Sequence, residues 1–393
     1  MSRKIICLAL LIRILLIPWF YHPDIKSQNF HYQFLSAGVF DVYSFIGLNQ
    51  WRLPYRDTFN YLPLTYLTFG ILQVLLRPFL PSDFFLWLND WGERQNYYPN
   101  LPYFLLILKL PYLVLDFFIA FLLHRISRQK SLAQFWLFNP LSFYLIYVLG
   151  NFDILPLVFC LLAYYFLKKR PVFGFSFLGT AISLKLYPLL FLPLYLIDLK
   201  KYRLWPKFIL LTLIVPLLTI LPFLNSHYFW QSFLGSGLTQ KIIETRFLGL
   251  PVFPVFYLVI LVFAYAKKMK LSHSLALVFF LFITTVKFHP QWILWFLPFI
   301  FLTSTFRHHR LFFTLVFFLL LAIIFLFNDS YLTWGYLIPI DPEFVNLRTP
   351  HDFFRLRYHL NPVRLQDYLR YLIAFLSLIY IFGYEKFYFR SHF

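Results

Sequence analysis

Charge is scarce in this sequence. Of 393 residues, only 13% are Asp, Glu, Lys or Arg, against about 25% in a soluble globular domain. So few charges cannot furnish a water-facing surface, which excludes an ordinary soluble enzyme. Acids are scarcer still, 16 against 35 bases, for a formal net charge of +19. The two cysteines, Cys7 and Cys160, both lie in apolar segments, which excludes a disulfide scaffold and a cysteine metal site. Twelve glycines leave little room for a phosphate-binding loop, and no glycine-rich phosphate loop, HExxH, CxxC or GxSxG is found. Nothing in the chain points to ATP or a soluble nucleotide. The basic excess does not indicate nucleic acid either. It falls in short clusters between apolar runs, the pattern of the positive-inside rule.

What is abundant is apolar and aromatic. Sixty per cent of the chain is hydrophobic and 23% is Phe, Trp or Tyr, with a mean hydropathy of +0.68. Apolar runs near 20 residues recur along the whole length, which predicts an all-α, polytopic transmembrane helical bundle of about 10 to 13 spans. The first run, residues 5–21, follows Ser2-Arg3-Lys4 and imitates a signal peptide. Arg13 interrupts it and no small-residue cleavage site follows, so a retained first helix is expected. Residues 22–60 are polar but too aromatic for a free linker, and predict amphipathic helices on the membrane surface. Further spans are expected at 61–80, 101–124 and from 132 onward. Lys185-Leu186-Tyr187-Pro188 sits mid-run, where Pro188 removes a backbone donor and leaves either one kinked helix or two half-helices. Basic clusters at 125–130, 168–170, 200–207, 267–270 and 307–310 are expected on the cytoplasmic side. The loops 22–60, 225–248 and 328–367 then lie outside. The parity does not close around 61–124: one span there is re-entrant, or one cluster breaks the rule.

Ionisable groups at membrane depth cost about 2.5–3.5 kcal/mol each on insertion scales, so each requires a reason. Asp24, just past the first helix, reads as a general base for an attacking hydroxyl or as a helix-end cap. Asp153, in Gly150-Asn151-Phe152-Asp153, reads as an N-cap or as a partner for a sugar hydroxyl. Lys185 either snorkels or pairs with an anion such as a phosphate. Lys287, His289 and Gln291, with Trp292, put a cation, an imidazole, an amide and an indole at one turn. They suit a phosphate and a sugar face, or interfacial anchoring. Asp116 is expected to pair internally, with Lys109 or Lys185, as a structural group. Asp41 competes with Asp24, since it too lies in the first loop. No metal ligand set is required by the sequence, and a divalent cation is left open.

Seven short motifs then stand in one order. They are Asp24; Tyr61-Leu62-Pro63-Leu64-Thr65-Tyr66; Lys109-Leu110-Pro111 with Asp116; Leu137-Phe138-Asn139-Pro140; Gly150-Asn151-Phe152-Asp153-Ile154-Leu155-Pro156; Lys185-Leu186-Tyr187-Pro188; and His289-Pro290-Gln291-Trp292-Ile293-Leu294-Trp295. With this series the chain resembles the GT-C superfamily of multi-spanning glycosyltransferases, in particular bacterial proteins similar to the mannosyltransferases of GPI-anchor synthesis. The resemblance implies a GT-C-like catalytic module over residues 1–310, including the outer loop 22–60. Residues 311–393 would follow as C-terminal spans with the extracytoplasmic loop 328–367.

It also implies transfer of a hexose, mannose favoured, from a polyprenyl-phosphate donor to a lipid- or glycan-linked acceptor, usually with inversion. The reaction would take place on the outer face of a bacterial plasma membrane. Asp24 would be the catalytic base, with Tyr61, Asp153 and Lys185 among the substrate contacts. Two departures stand out. Many members pair two acids in the first loop, whereas Asp24 is followed by Ile25-Lys26. Leu62 replaces the first proline of the Tyr-Pro-Pro element. A transporter or flippase of lipid-linked or small substrates, using the same buried charges, is the competing expectation; so is an inactive partner subunit of a glycan-assembly complex. Membrane lipids are partners in every case, and no nucleic acid is expected.

Overall fold

The computed structural model describes residues 2–92, 94–235, 242–267, 269–286, 289–303 and 310–390. These are mostly helical, with almost no strand. A two-stranded antiparallel ribbon, Arg246–Phe247 against Leu250–Pro251, pairs Arg246 with Pro251 and Phe247 with Leu250. The chain divides into two units. The first is Met1–Gly237 with Gly335–Val345; the second is Leu238–Trp334 with Asn346–Phe393.

In the first unit α1 (Arg3–Leu16) is capped by Ser2, whose hydroxyl accepts from Ile5 N–H. A 3-10 turn, Ile17–Trp19, leads into α2 (Pro23–Ser36), which departs from the α1 direction by 82°. Proline at the first position and the His22 cap fix where α2 begins. α3 (Val42–Asn49) follows, so the 22–60 loop is built on two short helices. Then come α4 (Pro63–Leu76), α5 (Ser82–Asn89) and the 27-residue α6 (Leu101–Ser127), with Pro111 inside it.

The apolar stretch expected as a span from 132 is broken. α7 (Lys130–Phe138) stops at Asn139, whose side-chain oxygen caps α8 (Pro140–Phe143) through Leu141 N–H and Ser142 N–H. A π-helical turn, Tyr144–Val148, delivers the chain to Gly150. α9 (Ile154–Phe166) and α10 (Pro171–Leu184) run on from there. Lys185 is extended (φ −156°, ψ 143°), a 3-10 turn covers Tyr187–Phe191, and α11 (Leu192–Leu199) restarts. Of the two sequence alternatives, the half-helices are what forms. α12 (Trp205–Ile220) and α13 (His227–Gly235) end the described part of this stretch. α10 and α12 pack backbone to backbone at Gly179, where an added Cβ would lie 2.3 Å from the Thr212 carbonyl oxygen.

Among the described residues, two helical segments, Leu101–Ser127 and Tyr202–Phe223, are long and apolar enough to cross a membrane. α1 and α2 make a third only if the bent pair counts as one span. Fewer continuous spans appear than the apolar runs suggest, because Asn139-Pro140, Lys185 to Pro188 and the turn at Pro290 cut those runs into helices of 17 residues or fewer.

One expectation changes outright. Asp116 does pair internally, but with neither Lys109 nor Lys185. Its Oδ2 accepts from Arg13 Nε at 2.6 Å and from the Tyr147 hydroxyl at 2.7 Å, and its Oδ1 accepts from Trp136 Nε1 at 2.6 Å. Arg13 also donates to the Ala9 and Leu137 carbonyls. The residue that interrupts the first apolar run therefore fastens α1 to α6 and to the α7 region.

In the second unit the helices Val252–Lys267, Leu271–Thr285, Arg310–Phe325 and Pro362–Arg390 carry most of the apolar mass. Arg370 donates to the carbonyls of Ile283, Thr284 and Val286, so a guanidinium closes the C-terminal end of Leu271–Thr285.

Candidate functional site

The polar turn Gly150 to Asp153 and the start of α2 meet in the first unit. Asp24 lies in the first turn of α2, where the N–H dipoles favour a carboxylate. Its side chain is 34% exposed, which matters because the other two carboxylates at helical depth, Asp116 and Asp153, are at 0%. Asp24 Oδ2 accepts from Asn151 Nδ2 at 3.2 Å. The other oxygen stands 3.6 Å from His22 Nδ1, and that same nitrogen accepts from Asp24 N–H at 3.2 Å. A neutral His22 therefore carries its proton on Nε2. Asn151 is buried, and among the described residues its Oδ1 has no hydrogen-bond partner.

Asp153 begins α9, yet its side chain forms no cap bond. It instead forms an ion pair with Lys185, itself buried in the break between α10 and α11. The Lys185 ammonium lies 5.4 Å from the centre of the Tyr61 ring and 5.0 Å from that of Phe152, distances suited to cation–π attraction. Those two rings meet edge to face at 4.8 Å. Asp24, Asp153, Lys185 and Tyr61 thus belong to one neighbourhood, and two of the expected substrate contacts neutralise each other.

Other expected residues lie elsewhere. Asp41 caps α3, accepting from Ser44 N–H at 3.1 Å and from the Ser44 hydroxyl at 2.6 Å. His289 and Gln291 are in the second unit, on and beside the Pro290–Trp295 turn, with the His289 ring 4.9 Å from Trp292. Lys287 lies outside the described residues. Among the described residues, no group of three or more His, Cys, Asp or Glu is placed to hold a metal ion.

Sequence reasoning passed over four residues of this neighbourhood. Asn151 and Phe152 were within a quoted motif, and the polar turn was their only signal. Tyr55 and Asp57 carried none. The Tyr55 hydroxyl donates to Asp57 Oδ2 at 3.1 Å. Burial first, then the nearby Asp57 carboxylate, pushes the Tyr55 phenol above its ordinary range, so it remains a donor at neutral pH. The ring of Tyr55 stacks on Trp91 at 4.1 Å.

No protein-family model matches the chain, and no solved structure matches it. The chain is similar to GPI mannosyltransferase 1 of Kluyveromyces lactis, at 27% identity over 194 residues. That alignment covers 49% of this chain and 43% of the yeast protein, so the chain spans less than half the length of the relative it matches.

Proposed function

We propose that the chain is a multi-pass membrane glycosyltransferase. It moves a hexose, mannose first among candidates, from a polyprenyl-phosphate donor to an acceptor hydroxyl on the extracytoplasmic face. The similarity to a protein named GPI mannosyltransferase 1 supports the class of reaction. The observation that carries the mechanism is Asp24, a carboxylate one-third exposed at the start of α2, steadied by a neutral amide.

In the proposed step the acceptor hydroxyl gives its proton to Asp24, and its oxygen bonds to the anomeric carbon. The bond from that carbon to the phosphate oxygen breaks, and the electron pair leaves with the phosphate. The configuration inverts, and Asp24 later returns the proton to solvent. The lipid phosphate is already a leaving group, so no nucleotide is needed. Asn151 Oδ1 can accept from a sugar or acceptor hydroxyl. Asp153, Lys185 and Tyr61 line the sugar side in this reading.

The test is transfer by purified protein in detergent, from synthetic polyprenyl-phosphate mannose and then glucose, to membrane lipid extract. Asp24→Asn should lose at least about 100-fold in kcat, the usual contribution of a general base. Transfer that survives in Asp24→Asn refutes Asp24 as the base. A folded wild type inert towards every donor refutes the transferase reading and favours transport or a partner role.

A further inference from the structure

We propose that Lys109 is a positioning residue whose ammonium sets the approach of Asp24 to Asn151. The meaning for catalysis rests on the transferase reading above; the geometry stands apart from it. Lys109 is wholly buried on α6. Its Nζ donates to the Phe20 carbonyl at 2.5 Å and to the Tyr147 carbonyl at 2.7 Å. Phe20 stands four residues before Asp24 (24 − 20) and Tyr147 four residues before Asn151 (151 − 147). One ammonium thus bridges the two backbone segments whose side chains then meet at 3.2 Å. An ammonium has three protons to aim at carbonyls from separate segments, and an apolar side chain has none. Among the described residues no carboxylate forms an ion pair with Lys109, so its charge is directed at these peptide dipoles.

Gly150 completes the arrangement. Its φ of +58° is a left-handed conformation, and a Cβ there would lie 3.2 Å from Lys109 Cε and 3.5 Å from Ile25 Cδ1. Ile25 is the neighbour of Asp24 on α2. The polar turn, the Lys109 stem and α2 therefore touch at one point, where a Cβ fits once the Lys109 stem gives by a few tenths of an ångström.

The first readout needs no activity. An ideal Cβ on Gly150 stands 3.7 Å from Ile25 Cβ, close to the mean of about 3.8 Å for disulfides. The variant Ile25→Cys/Gly150→Cys, with Cys7→Ser, should cross-link under mild oxidation in detergent. Adding Lys109→Met should slow that reaction by about tenfold, as the two segments lose their common anchor. If Lys109→Met does not purify as a single species, Lys109→Gln, too short to span both carbonyls, replaces it in the same comparison. An unchanged rate overturns the proposal, and so does failure to cross-link with Lys109 in place.

The second readout is kinetic. Lys109→Met should lower kcat by about 10- to 100-fold through misplacement of the base, with the donor KM within about twofold. Combined with Asn151→Ala it should cost little more than the worse single change. Additive losses would mean Lys109 acts by another route. If the wild type transfers nothing, the transferase reading fails while the cross-linking rates still decide the placement.

Discussion

The Arg13–Asp116 network offers the sharpest test of how this fold is held together. Both side chains are buried, at 1% and 0% exposure. Asp116→Leu would take the carboxylate from the guanidinium, and from Trp136 Nε1 and the Tyr147 hydroxyl the acceptor they share. Breaking a buried pair from one side costs about 3–5 kcal/mol. At about 1.2 °C per kcal/mol for a chain of this size, the apparent Tm in detergent should fall by about 4–6 °C. Arg13→Met should cost less, about 1–3 kcal/mol, because Asp116 keeps two donors. In Arg13→Met/Asp116→Leu the uncompensated charge is gone. Its loss should therefore undercut the sum of the singles by about 1–3 kcal/mol. The assay is thermal unfolding followed by size-exclusion chromatography, run on all four proteins at one heating rate. Additive losses, or an Asp116→Leu protein within about 2 °C of wild type, would refute the clamp.

Further outcomes follow from single contacts. Lys185→Met should destabilise by about 3–5 kcal/mol, since it removes the cation paired with the fully buried Asp153 carboxylate; unfolding in detergent checks this. Asp41→Ala should cost about 1 kcal/mol by removing the α3 cap, and a loss several times larger would point to a role beyond capping. Gly179→Ala should cost about 1–3 kcal/mol, because the new methyl meets the Thr212 carbonyl rather than a movable side chain. Arg370→Met should cost about 1–3 kcal/mol by leaving three carbonyls at the end of Leu271–Thr285 without their donor.

The helical character of the chain was legible in its apolar runs, and so were several breaks. Pro188 announces the break after α10 through backbone chemistry that operates within a few residues, whereas the Asn139-Pro140 break fell inside an apolar run expected to continue to 149. Pairing across the chain was not legible. Arg13 and Asp116 are 103 residues apart, and no local rule prefers Arg13 over Lys109 as the partner. The same limit applied at the site. The Gly150 to Asp153 turn drew notice as a polar interruption, but whether Asp153 would cap α9 or meet Lys185 depends on where α10 stops. Tyr55 and Asp57 sit in irregular backbone between α3 and α4, where neither period nor cap marks a residue as special.

The exposure of the carboxylates separates roles that the sequence left equal. A general base needs a lone pair that a substrate hydroxyl can reach, and a charge not already cancelled. Asp116 and Asp153 fail on both counts, each lying at 0% exposure against a cation. Asp41 is accessible in part, but both of its oxygens serve Ser44. Asp24 has one oxygen on a neutral amide, the other near a histidine that is charged only when protonated, and a third of its surface open. Substituting Asn151 should therefore act on Asp24 rather than on the fold. Asn151→Ala removes one amide-to-carboxylate hydrogen bond, worth about 1 kcal/mol in stability because Asp24 is partly open to water. It should lower kcat far more than that loss suggests, by about 10- to 100-fold if the base must be held in line. A proportionate fall in both would assign Asn151 to packing and leave Asp24 without its orienting partner.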